Sequence, residues 1–130
     1  MDDFTLQQFT ALDEASSTAS YVNALEAFDS IVQLQELKSI ARRQGGFGPG
    51  KSILDVGCGF GLETLRLAAI SPTMGNVAGI DKSESFIKNA RERATAASLT
   101  IDFRVADATA LPFDDATFDC VRAERLLIYL

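Results

Sequence analysis

Residues 53–61 read Ile53-Leu54-Asp55-Val56-Gly57-Cys58-Gly59-Phe60-Gly61. A short run of mostly apolar residues passes directly into three glycines at alternate positions. Lys51 to Val56 reads as a buried strand, with Ile53, Leu54 and Val56 apolar, and Leu62 to Ile70 reads as a helix. A glycine loop between a strand and a helix has a physical use. Glycine takes positive φ at little cost and lets a ligand approach the backbone with no Cβ in the way. The alternative is a tight turn that binds nothing, because a glycine-rich loop alone is a weak signal.

Downstream, strand and helix signals alternate. Ser71-Pro72 ends the helix, since proline disfavours helical geometry in the residue before it. Val77-Ala78-Gly79-Ile80 forms a second strand that closes at Asp81. Ser83 is a good N-cap for a helix from Glu84 to about Ala97, with Phe86, Ile87 and Ala90 on its apolar face. Ile101 to Val105 makes a third strand, and Phe118 to Val121 begins a fourth. This alternation predicts right-handed βαβ units and a parallel sheet. Upstream, residues 1–44 read as helical. Ser30-Ile31-Val32-Gln33 has the form of a capping box. Ile31, Leu34, Leu37 and Ile40 or Ala41 then recur as one apolar stripe expected to face the core. Arg42 and Arg43 fall in the last turn, where cations suit the helix dipole. Tyr21 to Phe28 carries a second helical pattern, and Phe4, Leu6, Phe9 and Leu12 suggest a short helix or arm. Gly45 to Gly50 is a linker punctuated by Pro49.

Composition narrows the function classes. The chain has 130 residues, 47% of them hydrophobic, which suffices for one buried core and excludes a disordered tail. There is no histidine, so a Ser-His-Asp triad, a Cys-His pair and histidine-containing zinc sites are excluded. Two cysteines make neither a disulfide framework nor a zinc spacing, and point to a reducing, cytoplasmic compartment. A formal charge of −6 argues against a nucleic-acid partner. The acidic Met1-Asp2-Asp3 start is unlike a secretory signal. No apolar run reaches the roughly 20 residues that span a bilayer.

The acids around the loop carry the chemistry. The spacing is G-x-G-x-G, and Leu62 stands where the dinucleotide fingerprint has its last glycine. Asp55, two residues before Gly57, would repel a pyrophosphate and suit a cation such as an amino-acid ammonium. That favours a nucleoside joined to an amino acid over NAD. Asp81, ending the second strand, can accept both hydroxyls of a ribose, or can serve only as an acid at the next helix N-terminus. Asp107 can accept from an adenine amino group while Ala108 leaves room for the ring, or Asp107 can be a solvated turn residue.

Asp55 to Gly61, Gly79-Ile80-Asp81-Lys82-Ser83, Ala106-Asp107-Ala108 with Leu111-Pro112-Phe113, and Thr117-Phe118-Asp119-Cys120-Val121 follow in this order. Together they resemble a class I S-adenosylmethionine-dependent methyltransferase, of the small-molecule group similar to the quinone-biosynthesis enzymes. The resemblance covers about residues 51–125. It implies an α/β, Rossmann-like parallel sheet flanked by helices, with S-adenosylmethionine as cofactor and a small-molecule methyl acceptor. By this resemblance Asp55 and the loop with Gly57, Cys58, Gly59 and Gly61 face the methionine portion. Asp81 takes the ribose hydroxyls, with Lys82 and Ser83 beside them, and Asp107 with Ala108 holds the adenine. Arg122 meets the methionine carboxylate, and the helical residues 1–44 resemble a lid.

The family's sheet has seven strands in the order 3-2-1-4-5-7-6. Residues 51–130 supply only the first four, so the expected domain is incomplete, truncated after about the fourth strand, which would form an open edge. A fragment of a longer enzyme is the favoured explanation, and a partner chain completing the sheet is the other. Glu124 to Leu130 reads as the start of an amphipathic helix. No catalytic base and no metal-ligand cluster are evident. Tyr129 receives no role, Tyr21 reads as a core-facing aromatic in preference to one reaching the cofactor from the lid, and Cys58 and Cys120 read as small buried residues. Two other readings stay open: a cofactor- or partner-binding module that transfers nothing, and a dinucleotide oxidoreductase, against which Asp55 and Leu62 speak. Oligomeric state, acceptor and target atom have no signal in this sequence.

Overall fold

The computed structural model describes residues 18–70, 76–124 and 126. Within the described residues two helices, α1 (Thr18–Asp29) and α2 (Val32–Gln44), precede the sheet. Then β1 (Ile53–Val56), α3 (Leu62–Ile70), β2 (Val77–Asp81), α4 (Glu84–Ala96), β3 (Asp102–Val105) and β4 (Cys120–Ala123) follow. All strand pairs are parallel, in the order β3-β2-β1-β4. The expected alternation and the expected first four places of the family sheet are both present. The expected segments at residues 4–12, 71–72 and 127–130 lie outside the described residues, as does the side chain of Tyr21.

Strand β1 is buried along its whole length because both faces are covered. Ile53 packs with Leu67 and Ala68 of α3 and Val77 of β2. Leu54 and Val56 point the other way and join Ala78, Ile80, Phe113 and Phe118. Ile87, Ala90 and Ala94 of α4 pack on Phe103 of β3. Full burial of a leucine or isoleucine such as Leu54, Ile53 or Ile87 contributes about 1.5–3 kcal/mol. Ser83 caps α4 as expected, its Oγ accepting from the Phe86 N–H at 3.2 Å.

Helix α2 departs from expectation at both its start and its faces. Ser30 makes no capping box: its hydroxyl donates back to the Ala27 carbonyl at 2.7 Å, and the helix opens after Ile31 with no side-chain cap. The apolar stripe does not face the core. Leu37 is 64% exposed and Ile31 and Ile40 remain exposed, while Lys38 is buried. The reason is ionic. Lys38 donates to Asp29 at 2.8 Å, Arg66 of α3 reaches both Asp29 oxygens at 2.6 and 3.1 Å, and Arg42 pairs with Glu63 of α3. Carboxylates on α1 and α3 draw the cationic face of α2 inward, and the long Lys and Arg stems supply the apolar packing.

Candidate cofactor site at the carboxyl ends of the strands

The chain runs β1, β2, β3 outward on one side and then crosses to β4 on the other side of β1. The carboxyl ends of β1 and β4 therefore flank a topological switch point, where open α/β sheets bind ligands. The glycine loop leaves β1 at that point. Gly57, Gly59 and Gly61 all have positive φ, of 71°, 57° and 86°. The N–H groups of Gly57 and Cys58 both donate to the Ile80 carbonyl, at 2.8 and 2.9 Å. The loop is thus pinned to the end of β2. At Gly59 a Cβ would meet nothing within 4 Å, so the loop presents open space there. Phe60 points the other way and is buried against Val22 of α1 and Phe86 of α4, with the Arg93 guanidinium 4.8 Å from its ring centre.

Asp81 ends β2 beside the loop. Its Oδ2 accepts the Gly59 N–H at 2.9 Å and its Oδ1 accepts the Ser83 N–H at 2.9 Å. Asp81 is half-buried, Lys82 is exposed, and Ser83 is buried by its capping role. The Ala106 N–H donates to the Asp81 carbonyl at 2.9 Å, which brings the end of β3 alongside. Asp107 follows there, exposed, its Oδ1 accepting from the Thr109 N–H and hydroxyl at 2.8 and 2.7 Å. These two hydrogen bonds hold its carboxyl below the usual range. Lys82 lies 3.9 Å from Asp107. Ala108 is half-buried against the cluster of Leu54, Val56, Ala78 and Ile80.

Asp55 sits lower, wholly buried under the loop. Thr64 of α3 donates to its Oδ2 at 2.7 Å and Arg122 of β4 donates to its Oδ1 at 3.0 Å. Burial pushes the Asp55 carboxyl up, against the pull of Arg122 and of the Thr64 hydrogen bond. The second Arg122 nitrogen pairs with Glu124. So Arg122, expected at a ligand carboxylate, is held by two protein carboxylates. Cys58 is a free thiol whose ionisation is suppressed by burial and by the charges of Asp55 and Asp81, which fits no nucleophile. Among the described residues no group of His, Cys, Asp or Glu is arranged for a metal, and no helix is long and apolar enough to cross a membrane.

The sequence reading missed Thr64 and Glu124. Thr64 carried a signal: it shares the buried face of α3 with Leu67 and Ala68, at i, i+3 and i+4. A polar residue on such a face needs a partner, and Asp55 supplies it.

Residues 53–130 match the family model for a methyltransferase domain. The chain belongs to the methyltransferase domain family. The demethylmenaquinone methyltransferase of Shouchella clausii (strain KSM-K16) is 39% identical over 100 residues, covering 74% of this chain and 43% of that protein. Phosphoethanolamine N-methyltransferase 1 of Haemonchus contortus, solved with phosphoethanolamine and S-adenosylhomocysteine, is 32% identical with a TM-score of 0.57. That match covers 64% of this chain and 17% of the other. The [4+2]-cyclase SpnF is 31% identical with a TM-score of 0.60, over 66% of this chain and 32% of its own. This methyltransferase domain spans less than half the length of the curated relatives it matches.

Proposed function

We propose that residues 51–124 form the S-adenosylmethionine half-site of an enzyme that methylates a small molecule. The observation that carries this reading is the Asp81 carboxylate hydrogen-bonded to Gly59 of the glycine loop, at 2.9 Å. A carboxylate fixed beside an open, Cβ-free backbone suits a ribose diol that must lie against the loop. The donor set fits the rest of the cofactor. Asp55 supplies a negative charge under Gly57, Gly59 and Gly61 for an ammonium, and Asp107 with Ala108 supplies an acceptor and a small side chain for adenine. Lys82 and Ser83 flank the ribose end.

When bound, S-adenosylmethionine supplies an electrophilic methyl group on a sulfonium. The residues of this chain bind and orient, and that is enough for a large share of a displacement's acceleration, since in-line proximity lowers the entropic barrier. The acidic residues lining the site favour a cationic cofactor. No residue here is assigned as a base. The helices within residues 1–44 act as a cap over the loop, a role supported by the contact of Val22 with Phe60. The free cysteines support a cytoplasmic setting, and the −6 charge supports a partner other than nucleic acid.

Substitution of Asp81→Asn tests the assignment. Losing hydrogen bonds from a charged acceptor, worth about 1.5–3 kcal/mol, should weaken S-adenosylhomocysteine binding roughly ten- to hundredfold. Equilibrium dialysis reads this directly, with the melting temperature as the control for folding. Unchanged affinity in a folded variant removes the ribose assignment. A second reading, a domain that binds cofactor but transfers no methyl group, is favoured by the likeness to a protein named as a [4+2]-cyclase. Cofactor binding by the full-length protein with no label transferred from methyl-labelled S-adenosylmethionine to any candidate acceptor would select it.

A further inference from the structure

Asp55 and Arg122 are direct register partners across the parallel β1–β4 pair. Their side chains therefore leave the sheet on the same face, and they meet at 3.0 Å. Asp55 is 1% exposed, so water does little to stabilise its charge. The groups around it come from every packed element. Arg122 lies on β4, and Thr64 and the like-charged Glu63 lie on α3. The Cys58 thiol lies in the loop, with Asp81 also acting on it, and Gly79, the partner on β2, has no side chain. Among the described residues Arg122 is thus the cation paired with Asp55, and its second terminal nitrogen pairs with Glu124.

We infer that Arg122 is a positioning residue: it pairs with Asp55 and holds that carboxyl aimed under the glycine loop, instead of contacting the cofactor carboxylate itself. The inference rests on the reading of Asp55 as partner to the cofactor's ammonium. Only the ionised carboxylate attracts that cation. A buried carboxylate without a cation takes up a proton. Burial already pushes Asp55 up while Arg122 pulls it down. Removing Arg122 therefore moves the titration of Asp55 further up, and ligand affinity in the variant falls more with falling pH than in the native protein. Above that titration the variant binds at least as well as the native protein, because the cation that shared Asp55 is gone.

The test is calorimetric titration with S-adenosylhomocysteine from pH 6 to 9, on the native chain, Arg122→Gln, Arg122→Lys and Asp55→Asn. Each variant's Kd is taken as a ratio to the native value at the same pH, so the ligand's own titration cancels. For Arg122→Gln the ratio should rise as pH falls, approaching about tenfold per pH unit, the slope of one proton. For Arg122→Lys, which keeps the charge, the ratio should be flat, and Asp55→Asn should be weakened most at pH 9, where the native carboxyl carries its charge most fully. The carbon-13 resonance of the Asp55 carboxyl should report protonation in Arg122→Gln over the same range. A ratio for Arg122→Gln that is equal at every pH means direct contact or simple bracing and overturns the inference. So does native affinity in Asp55→Asn. If Arg122→Gln does not fold, Thr64→Val removes the other hydrogen bond and should show the same slope at lower pH, a flat ratio again overturning it. A native chain that fails to bind the ligand contradicts the cofactor reading instead, and the carboxyl resonance then still decides whether Arg122 draws the titration of Asp55 down.

Discussion

Gly61 and Gly59 have similar backbone signs and different surroundings. A Cβ on Gly61 would lie 2.8 Å from the Phe103 ring and 3.2 Å from both Ala90 and Leu65, at a φ of 86°. Overpacking a core costs about 1–3 kcal/mol, and the left-handed backbone adds roughly 1–2 kcal/mol. Gly61→Ala should therefore lose about 3 kcal/mol of stability in urea denaturation. Gly59→Ala faces only the backbone cost of about 1 kcal/mol, and its methyl enters open space on the loop. Its main effect should fall on S-adenosylhomocysteine affinity. Equal destabilisation by the two changes would contradict this division between the glycine that packs and the glycine that faces a ligand. The spacing of the three glycines and the acids at 55, 81 and 107 were legible in the sequence, because strand, loop and helix signals placed them at strand ends. The Asp55–Arg122 pair was not. It joins residues 67 apart in sequence, and only the register of β4 on β1 makes them neighbours.

At the scale of elements, α2 is fastened by charge. Asp29 at the end of α1 gathers Lys38, Arg66 and the Gln35 amide, and Glu63 gathers Arg42 and Arg66. Periodicity identified the helix and failed on its orientation, since an apolar stripe predicts an inward face only when no buried countercharge waits for the other one. Burial opposes ionisation of Asp29, but hydrogen bonds and charges from Arg66 and Lys38 outweigh it and hold the carboxyl well below the usual range. A lowered folded-state value means that the stabilisation is complete above the unfolded value of about 4 and is lost only as pH falls through the folded one. The clasp should therefore hold unchanged from pH 5 to 8. Asp29→Ala removes the nearer partner of Lys38 and of half-exposed Arg66 and leaves both, among the described residues, only Glu63. With the loss reduced from the 3–5 kcal/mol of a fully buried pair, it should cost about 2–3 kcal/mol. Thermal melts of native and variant chains across pH 3 to 8 check both statements. A gap between them that closes already at pH 6 would mean that another group carries the clasp.

For the whole molecule, the order β3-β2-β1-β4 sets the site. It follows from local rules: short parallel crossovers through α3 and α4 build β1 to β3, and one return places β4 across β1. The order was legible by resemblance, and the switch point between β1 and β4 came with it. What packs against the outer side of β4, where Val121 is 57% exposed, lies beyond local rules. The central claim is that this switch point is shaped for a nucleoside bearing an amino acid and not for a dinucleotide. Asp55 under the loop and the missing third-position glycine both bear on it, the first by repelling a pyrophosphate. The direct test is calorimetric titration of the 130-residue chain with S-adenosylhomocysteine and, separately, with NAD. Saturable binding of S-adenosylhomocysteine at one site, with no heat from NAD, is the predicted result. Binding of NAD without S-adenosylhomocysteine would contradict the account.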